Sequence, residues 1–497
     1  MRKGTDSPGL GSLASAALTA ASMLVVTAFA GVVGIVIARE FGRTEETDGF
    51  FAAYGVFIVV VLAAQAIRVA VIPALARARE ERRLAGELAG LAVAVGVIAV
   101  PLVLVAGLAA EPLGDLLTGH GSSVAQDAAS EALRWMVPAA AAHLFAGVAA
   151  SGLAAFDDYA TAAFGYAAGS AAGVALMLAR VEPDGIVAVA WGMALNGAVC
   201  LVVPCVGLAW RARAARMPTR AIRPSGPPLP SRLGMFAAAA ALPIALQLLY
   251  VLCLPFAGRV EAGAVTSFGY AYLAAASLVT VTASSLGLVT SAPLARAGLL
   301  PDRVARHVVS SSWLALAIIG ATAGVFVLAG ADLVEAVLGG AYGDAVGEEV
   351  ARLVVVFAPW TVAAVGVSVT FPLVFVGGRT RALPVIGAAV LLAHMLLAWV
   401  ASSLLELEGL ALALAVSTFL VLAGLLRLLG SLAATARGMG VAAAVVAALT
   451  VAAFLPSSLL LGSIAAAAAG LAIYAALVAV LRPPGLAAAW TYLRDLR

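Results

Sequence analysis

The apolar stretches of this chain run for twenty residues or more before a charge interrupts them, and residues 14–38 contain none at all. About 20 apolar residues in a helix cross the roughly 30 Å hydrocarbon layer of a bilayer. Lipid offers the backbone no hydrogen bonds, so each N–H and C=O must be paired within the protein, and helices do this segment by segment. An outer-membrane barrel would instead show alternating segments of about ten residues. Of the 497 residues, 63% are hydrophobic and 11% charged, where a soluble domain has about 25% charged. Mean hydropathy is +1.08. An ordinary soluble enzyme is excluded, and a net charge of +3 gives no footprint for nucleic acid. The expected class is an all-α polytopic membrane protein.

Breaks at charged or Pro/Gly-rich points predict spans near 14–38, 48–76, 84–109, 130–154, 159–180, 185–210, 233–256, 262–295, 306–330, 349–376, 382–403, 407–429, 438–456 and 459–481. Arginine and lysine are retained on the cytoplasmic side, which tests the count. Arg2 and Lys3 precede the first span, and Arg77, Arg79, Arg82 and Arg83 follow the second. Arg211 to Arg232 fill the loop after the sixth, and Arg296, Arg303, Arg379, Arg381, Arg437 and Arg482 follow on alternate loops. The intervening loops carry Glu111, Asp115, Glu182, Asp184, Asp332, Glu335, Glu349, Glu406 and Glu408. A missed or invented span would invert every later loop, so an even number of about fourteen is expected, with both termini cytoplasmic. The first span is too long for a cleaved signal and reads as a retained helix. The Arg and Ala bias points to a GC-rich bacterial genome, hence a bacterial inner (plasma) membrane.

An internal repeat appears at an offset near 220 residues. Pro73-Ala-Leu-Ala-Arg-Ala78 corresponds to Pro293-Leu-Ala-Arg-Ala297, and Trp135-Met-Val-Pro138 to Val356-Phe-Ala-Pro359. The hinge Phe156-Asp-Asp-Tyr159 corresponds to Gly377-Gly-Arg-Thr380, and Gly185-Ile-Val-Ala to Gly409-Leu-Ala-Leu. Six spans separate equivalent helices, so the copies run parallel, as in transporters that rock two bundles about a central cleft. The expected organisation is a six-helix bundle over 1–210, a basic cytoplasmic linker over 211–232, a second six-helix bundle over 233–430, and two extra helices with a tail over 431–497.

The segments Ala38-Arg-Glu-Phe-Gly42, Thr47-Asp-Gly-Phe-Phe-Ala-Ala53, Ile72-Pro73, Gly263-Ala-Val-Thr-Ser-Phe-Gly-Tyr-Ala271, Gly377-Gly-Arg-Thr380 and Gly409-Leu-Ala-Leu-Ala413 stand in the order and spacing of one known family. In these the chain resembles the MOP flippase superfamily, and within it the MurJ/MviN family of lipid II flippases. That resemblance implies a twelve-helix core plus two C-terminal helices and a cavity lined by arginines that hold the diphosphate of a lipid-linked sugar. Here residues 13–38 carry no charge, and Tyr272-Leu273 stand where the family has an acidic–basic pair. Either phosphate binding has moved to other residues or the carried headgroup differs from lipid II.

Arg68 is the most informative polar residue, because an ionised guanidinium inside a span is costly and faces a partner or a wet cavity. It lies about five residues, roughly 7 Å, from the end of its span, so snorkelling to the interface is the competing explanation. Arg39, Arg43 and Asp48 cluster at the mouth of the first hairpin, and Arg259 occupies the equivalent mouth in the second half. The arginines are candidates for phosphate contact and Asp48 for gating, against the simpler role of solvated loop charges. Gln65, His143, Asn196, Gln247 and His394 are candidate polar residues of the cavity. Interhelical hydrogen bonding would account for them equally well. Asp157 and Asp158 read as helix caps.

Cys200, Cys205 and Cys253 lie in apolar segments without metal-ligand spacing, and no nucleophile elbow, phosphate loop or metal motif is present in the sequence. The expected function is therefore not enzymatic. It is the flipping of a polyprenyl-diphosphate-linked, lipid II-like cell-envelope precursor from inner to outer leaflet by alternating access. No cofactor is expected; coupling would come from membrane potential, Na⁺ or H⁺. Expected partners are the bilayer, the lipid-linked saccharide and envelope-synthesis proteins, with no nucleic acid. The rival readings are a MATE-like cation-coupled antiporter and a non-transporting membrane scaffold for envelope assembly.

Overall fold

A computed structural model describes residues 10–119, 121–215, 226–280, 282 and 300–495 of the chain. Among these all regular structure is helical. The helices are α1 (Leu10–Phe41), α2 (Glu45–Glu80), α3 (Leu84–Leu108), α4 (Ala110–Leu117), α5 (Ser123–Ala155), α6 (Tyr159–Asp184), α7 (Val187–Ala214) and α8 (Leu229–Ala257). After them come α9 (Ala264–Val279), α10 (Pro301–Leu338), α11 (Asp344–Val356), α12 (Ala358–Val376), α13 (Leu383–Leu428), α14 (Leu432–Leu460), α15 (Ser463–Leu481) and α16 (Pro484–Asp495). Arg2, Lys3, the middle of the basic linker, and the repeat motif Pro293–Ala297 lie outside the described residues.

Among the described residues ten helices are long and apolar enough to cross a membrane, or eleven when the pair α11 and α12, bent by 41°, is taken as one broken span. α13 counts once in that number but crosses twice. Its backbone breaks at Leu405 (φ −137°) and Glu406 (φ 49°). Beyond the break the arms return along each other: His394 Nδ1 meets Ser417 Oγ at 2.9 Å, Ile386 lies beside Gly424, and the Ala401 carbonyl abuts Gly409. With α1 and the shorter α9 added, the total is consistent with fourteen crossings at the expected positions. Leu108, Leu392, Leu404, Leu460 and Val480 are among many large apolar side chains left exposed, as a lipid-facing surface requires. This is a multi-pass membrane protein.

The backbone repeats itself. Residues with left-handed φ recur about 220 positions apart: Gly42 and Gly263, Gly119 and Gly339, Asp157 and Gly378, Gly185 and Glu406. The break between α3 and α4 at Ala109 (φ −118°, ψ 26°) recurs inside α10 at Ala329 (φ −130°, ψ 17°). Each half thus turns and kinks at equivalent points. The backbone sets Gly185 against Glu406, three residues before the Gly409 with which its sequence motif aligns.

The chain divides into two compact units: Met1–Phe41 with Glu45–Gln247, and Gly42–Thr44 with Leu248–Arg497. In the first, α5 is the axis on which α2, α3, α4 and α7 pack, and Val71, Leu75, Leu84, Leu91, Leu144 and Phe236 lie in its core. In the second, α10 is contacted by α9, α11, α12, α14, α15 and α16. α14 and α15 are fixed there by Phe454, which fills the space left by Gly324, and by Tyr474, whose hydroxyl donates to the Ala317 carbonyl at 2.9 Å.

Candidate functional site

The sequence placed Arg68, His143 and Asn196 on three different helices of the first unit, and the fold brings them into one internal seam. Glycines set the spacing. On α5, a β-carbon at Gly147 would lie 3.3 Å from the Ala64 carbonyl and 3.9 Å from the Arg68 β-carbon. On α6 and α7, one at Gly173 would lie 2.5 Å from the Gly192 carbonyl, and one at Gly169 would lie 2.9 Å from that of Asn196. Such small-residue contacts let membrane helices approach closely enough for their polar groups to meet.

Within the seam the Arg68 guanidinium lies 5.8 Å from the centre of the Tyr166 ring, within the range where a ring face attracts a cation. Tyr166 is parallel to His143 at 6.3 Å, and Phe57 meets His143 edge-on at 6.0 Å. Asn196 donates to Ser170 Oγ at 3.2 Å and accepts from Cys200 Sγ at 3.5 Å. Arg68 itself is half-buried, and His143 is buried. The seam therefore sets one permanent positive charge among aromatic faces and neutral hydrogen-bonding groups, an arrangement suited to holding an anion. Gln65, nearly one turn from Arg68 on α2, is exposed.

The second unit is built differently. Tyr272 stacks on Tyr250 at 4.0 Å and lies 5.0 Å from Trp360, while Phe268 lies 5.3 Å from Phe357. His394 is fully buried with both nitrogens engaged, Nδ1 by Ser417 and Nε2 by Cys253 Sγ at 3.4 Å. Gln247, at the end of the first unit's share of α8, is buried. Arg43, which belongs to the second unit by its contacts, donates to Ser267 Oγ at 2.9 Å and pairs with Glu349 at 3.2 Å and with Glu261. Its side chain occupies the space beside Gly263. Two carboxylates thus neutralise Arg43. Arg39 is exposed, Asp48 is buried in the first turn of α2, and Arg259 is exposed over Phe256 at 5.8 Å.

Both arginines bounding the basic linker are paired inside the first unit. Arg232 makes a two-pronged contact with Glu87, 2.9 and 2.8 Å, and donates to the Pro227 carbonyl at 3.0 Å. Both side chains of that ion pair are about 5% exposed or less. Arg211 donates to Asp158 at 2.7 Å, and Asp158 caps α6 by accepting from the Thr161 amide at 3.0 Å. Burial would raise the Asp158 pKa, but the Thr161 and Arg211 hydrogen bonds outweigh it and hold the carboxyl below its ordinary value. Sequence reasoning missed Tyr166 and the Glu87–Arg232 pair. A tyrosine in an apolar helix carries no distinguishing signal, and Glu87 reads as an ordinary charge in a first helical turn.

No family model matches the chain, and no curated protein matches it. Its fold does match solved structures. A structure of the lipid II flippase MurJ in an inward closed conformation aligns with 93% of this chain and 98% of its own, at a TM-score of 0.73 and 13% identity. An inward-facing multidrug resistance MATE family transporter of the MOP superfamily covers 84% and 95% at 0.63 and 16%. A MOP superfamily transporter from Pyrococcus furiosus, described as having a binding pocket of reverse polarity, covers 85% and 94% at 0.56 and 16%. The chain thus shares the fold of these solved structures. The arrangement shared with MurJ extends over nearly the whole of it.

Proposed function

We propose that this protein is a transporter that flips a diphosphate-linked saccharide lipid between leaflets by alternating access. Both termini would face the cytoplasm of a bacterial cell. The observation that carries the reading is Arg68, an intramembrane cation on the aromatic face of Tyr166 in a bundle whose fold matches that of a lipid II flippase over 93% of the chain. An arginine in that setting binds phosphate oxygens as a preformed planar fork. The paired Arg43 contributes less, because Glu261 and Glu349 already compete for its charge. Membrane potential, Na⁺ or H⁺ would drive the cycle; one charge moved through 100 mV supplies about 2.3 kcal/mol.

The test is reconstitution of the full chain in liposomes, followed by the leaflet position of a fluorescent polyprenyl-diphosphate saccharide. Translocation that depends on Arg68 supports the proposal. Ion-driven dye efflux without lipid translocation would replace it with an antiporter of the MATE kind, and neither activity with a scaffold.

A further inference from the structure

At the end of the second unit where α8 stops and α13 turns back, a groove of about 370 Å³ is lined by Phe256, Arg259, Val260, Trp399, Ser402, Ser403 and Glu406. Its carboxylate comes from a strained residue: Glu406 has φ 49° and ψ −124°, a region ordinarily left to glycine. The equivalent turn of the first half shows the unstrained solution, Gly185 at φ 65° and ψ −151°. Leu178 and Val181 there stand where Trp399 and Ser402 stand in the second half. The fold therefore demands the turn, while the glutamate, the tryptophan and the serine are particular to this groove. Strain of this kind persists where a side chain has a task.

The lining has two polarities. Ser402 and Ser403 donate their hydroxyl hydrogens to the carbonyls of Trp399 and Val400 at 3.0 and 2.8 Å, so their oxygens present lone pairs. With the Glu406 carboxylate and the Trp399 ring, they suit an ammonium group that brings its own hydrogens. Arg259 suits a phosphate. Leu392, Leu396 and Trp399, all exposed, form a stripe leading along α13 to the groove, as an acyl chain would require. Tryptophan at such a position is characteristic of the membrane interface.

We infer that this groove binds the headgroup of an aminophospholipid of the surrounding bilayer, phosphate on Arg259 and primary ammonium on Glu406, Trp399 and the two serines. The site is separate from the Arg68 seam and does not depend on the transport reading. The full chain, purified in detergent with an equimolar mixture of phosphatidylethanolamine, phosphatidylcholine and phosphatidylglycerol, would be examined by native mass spectrometry. Phosphatidylethanolamine should be retained over both others, because phosphatidylcholine donates no ammonium hydrogens and phosphatidylglycerol carries no cation. Arg259→Gln should weaken its retention about tenfold, the loss of one charge-assisted contact. Glu406→Gly removes the carboxylate while relieving the backbone, so the variant should unfold at no lower temperature than the parent and yet lose its preference for phosphatidylethanolamine over phosphatidylglycerol. Equal retention of the three lipids, or an undiminished preference in Glu406→Gly, would overturn the assignment.

Discussion

The two units turn at equivalent backbone positions but differ in what they enclose. The first holds an intramembrane arginine, a histidine and an asparagine in one seam, together with a fully buried ion pair at the foot of the linker. The second encloses stacked tyrosines, phenylalanines and a tryptophan, and His394 of α13 is spent on helix packing. Turn geometry is thus retained by the fold, while interior chemistry has diverged. Among the described residues the intramembrane arginine lies in the first unit, which under the proposed function would hold the anionic group mainly in one bundle.

The comparison can be broken most severely at Glu87. Glu87→Ala strands the buried Arg232 guanidinium and should lower stability by about 3–5 kcal/mol, read from thermal unfolding in detergent. Replacing both partners by leucine should recover much of that loss, since an apolar pair leaves no uncompensated charge. In the second unit Tyr272→Ala should cost about 3 kcal/mol by opening a cavity in the aromatic stack, and Tyr272→Phe, which keeps the ring, should cost less. Arg43→Ala should cost less, about 1–2 kcal/mol, because Arg43 and Glu349 keep some exposure, Glu261 is half exposed, and solvent screens the cluster. A loss at Arg43 as large as that at Glu87 would remove the distinction drawn between the fully buried pair and the partly exposed cluster.

The smallest effect concerns acid. Asp158 has a folded-state pKa below its ordinary 3.8, so its contribution to stability is complete above the unfolded value and is lost as pH falls below it. Unfolding of the parent should therefore become easier below about pH 4, and Asp158→Asn should flatten that decline. An unchanged acid profile in the variant would leave the Arg211–Asp158–Thr161 cluster without a role in the pH response.

Much of the fold was legible in the sequence, because span length and arginine placement obey strong rules of solvation and topology. The hairpin inside α13 was visible as charged Glu406 and Glu408 between two apolar runs, and the repeat as matching turn residues. Asp158 showed its capping role by standing just before a small-residue helix. The seam was only half legible. Arg68, His143 and Asn196 stood out because polar groups in lipid are costly, but their convergence depends on glycine contacts at Gly147, Gly169 and Gly173 that no periodicity announces. Tyr166 and the aromatic stack were silent, since aromatic residues belong in apolar spans whether or not they contact one another. The partners of Arg43 were hidden by distance along the chain: Glu261 lies in the turn before α9 and Glu349 in the second turn of α11.

The central claim is that the first unit, through Arg68, holds the anionic group of the substrate. Its most direct test is binding of a short-chain polyprenyl diphosphate to the purified full chain and to Arg68→Gln, with Tyr272→Phe as the reference from the second unit. Affinity should fall about tenfold or more in Arg68→Gln, become weaker with added salt in the parent, and remain at the parental level in Tyr272→Phe. Equal, salt-insensitive binding by the parent and Arg68→Gln would contradict the account.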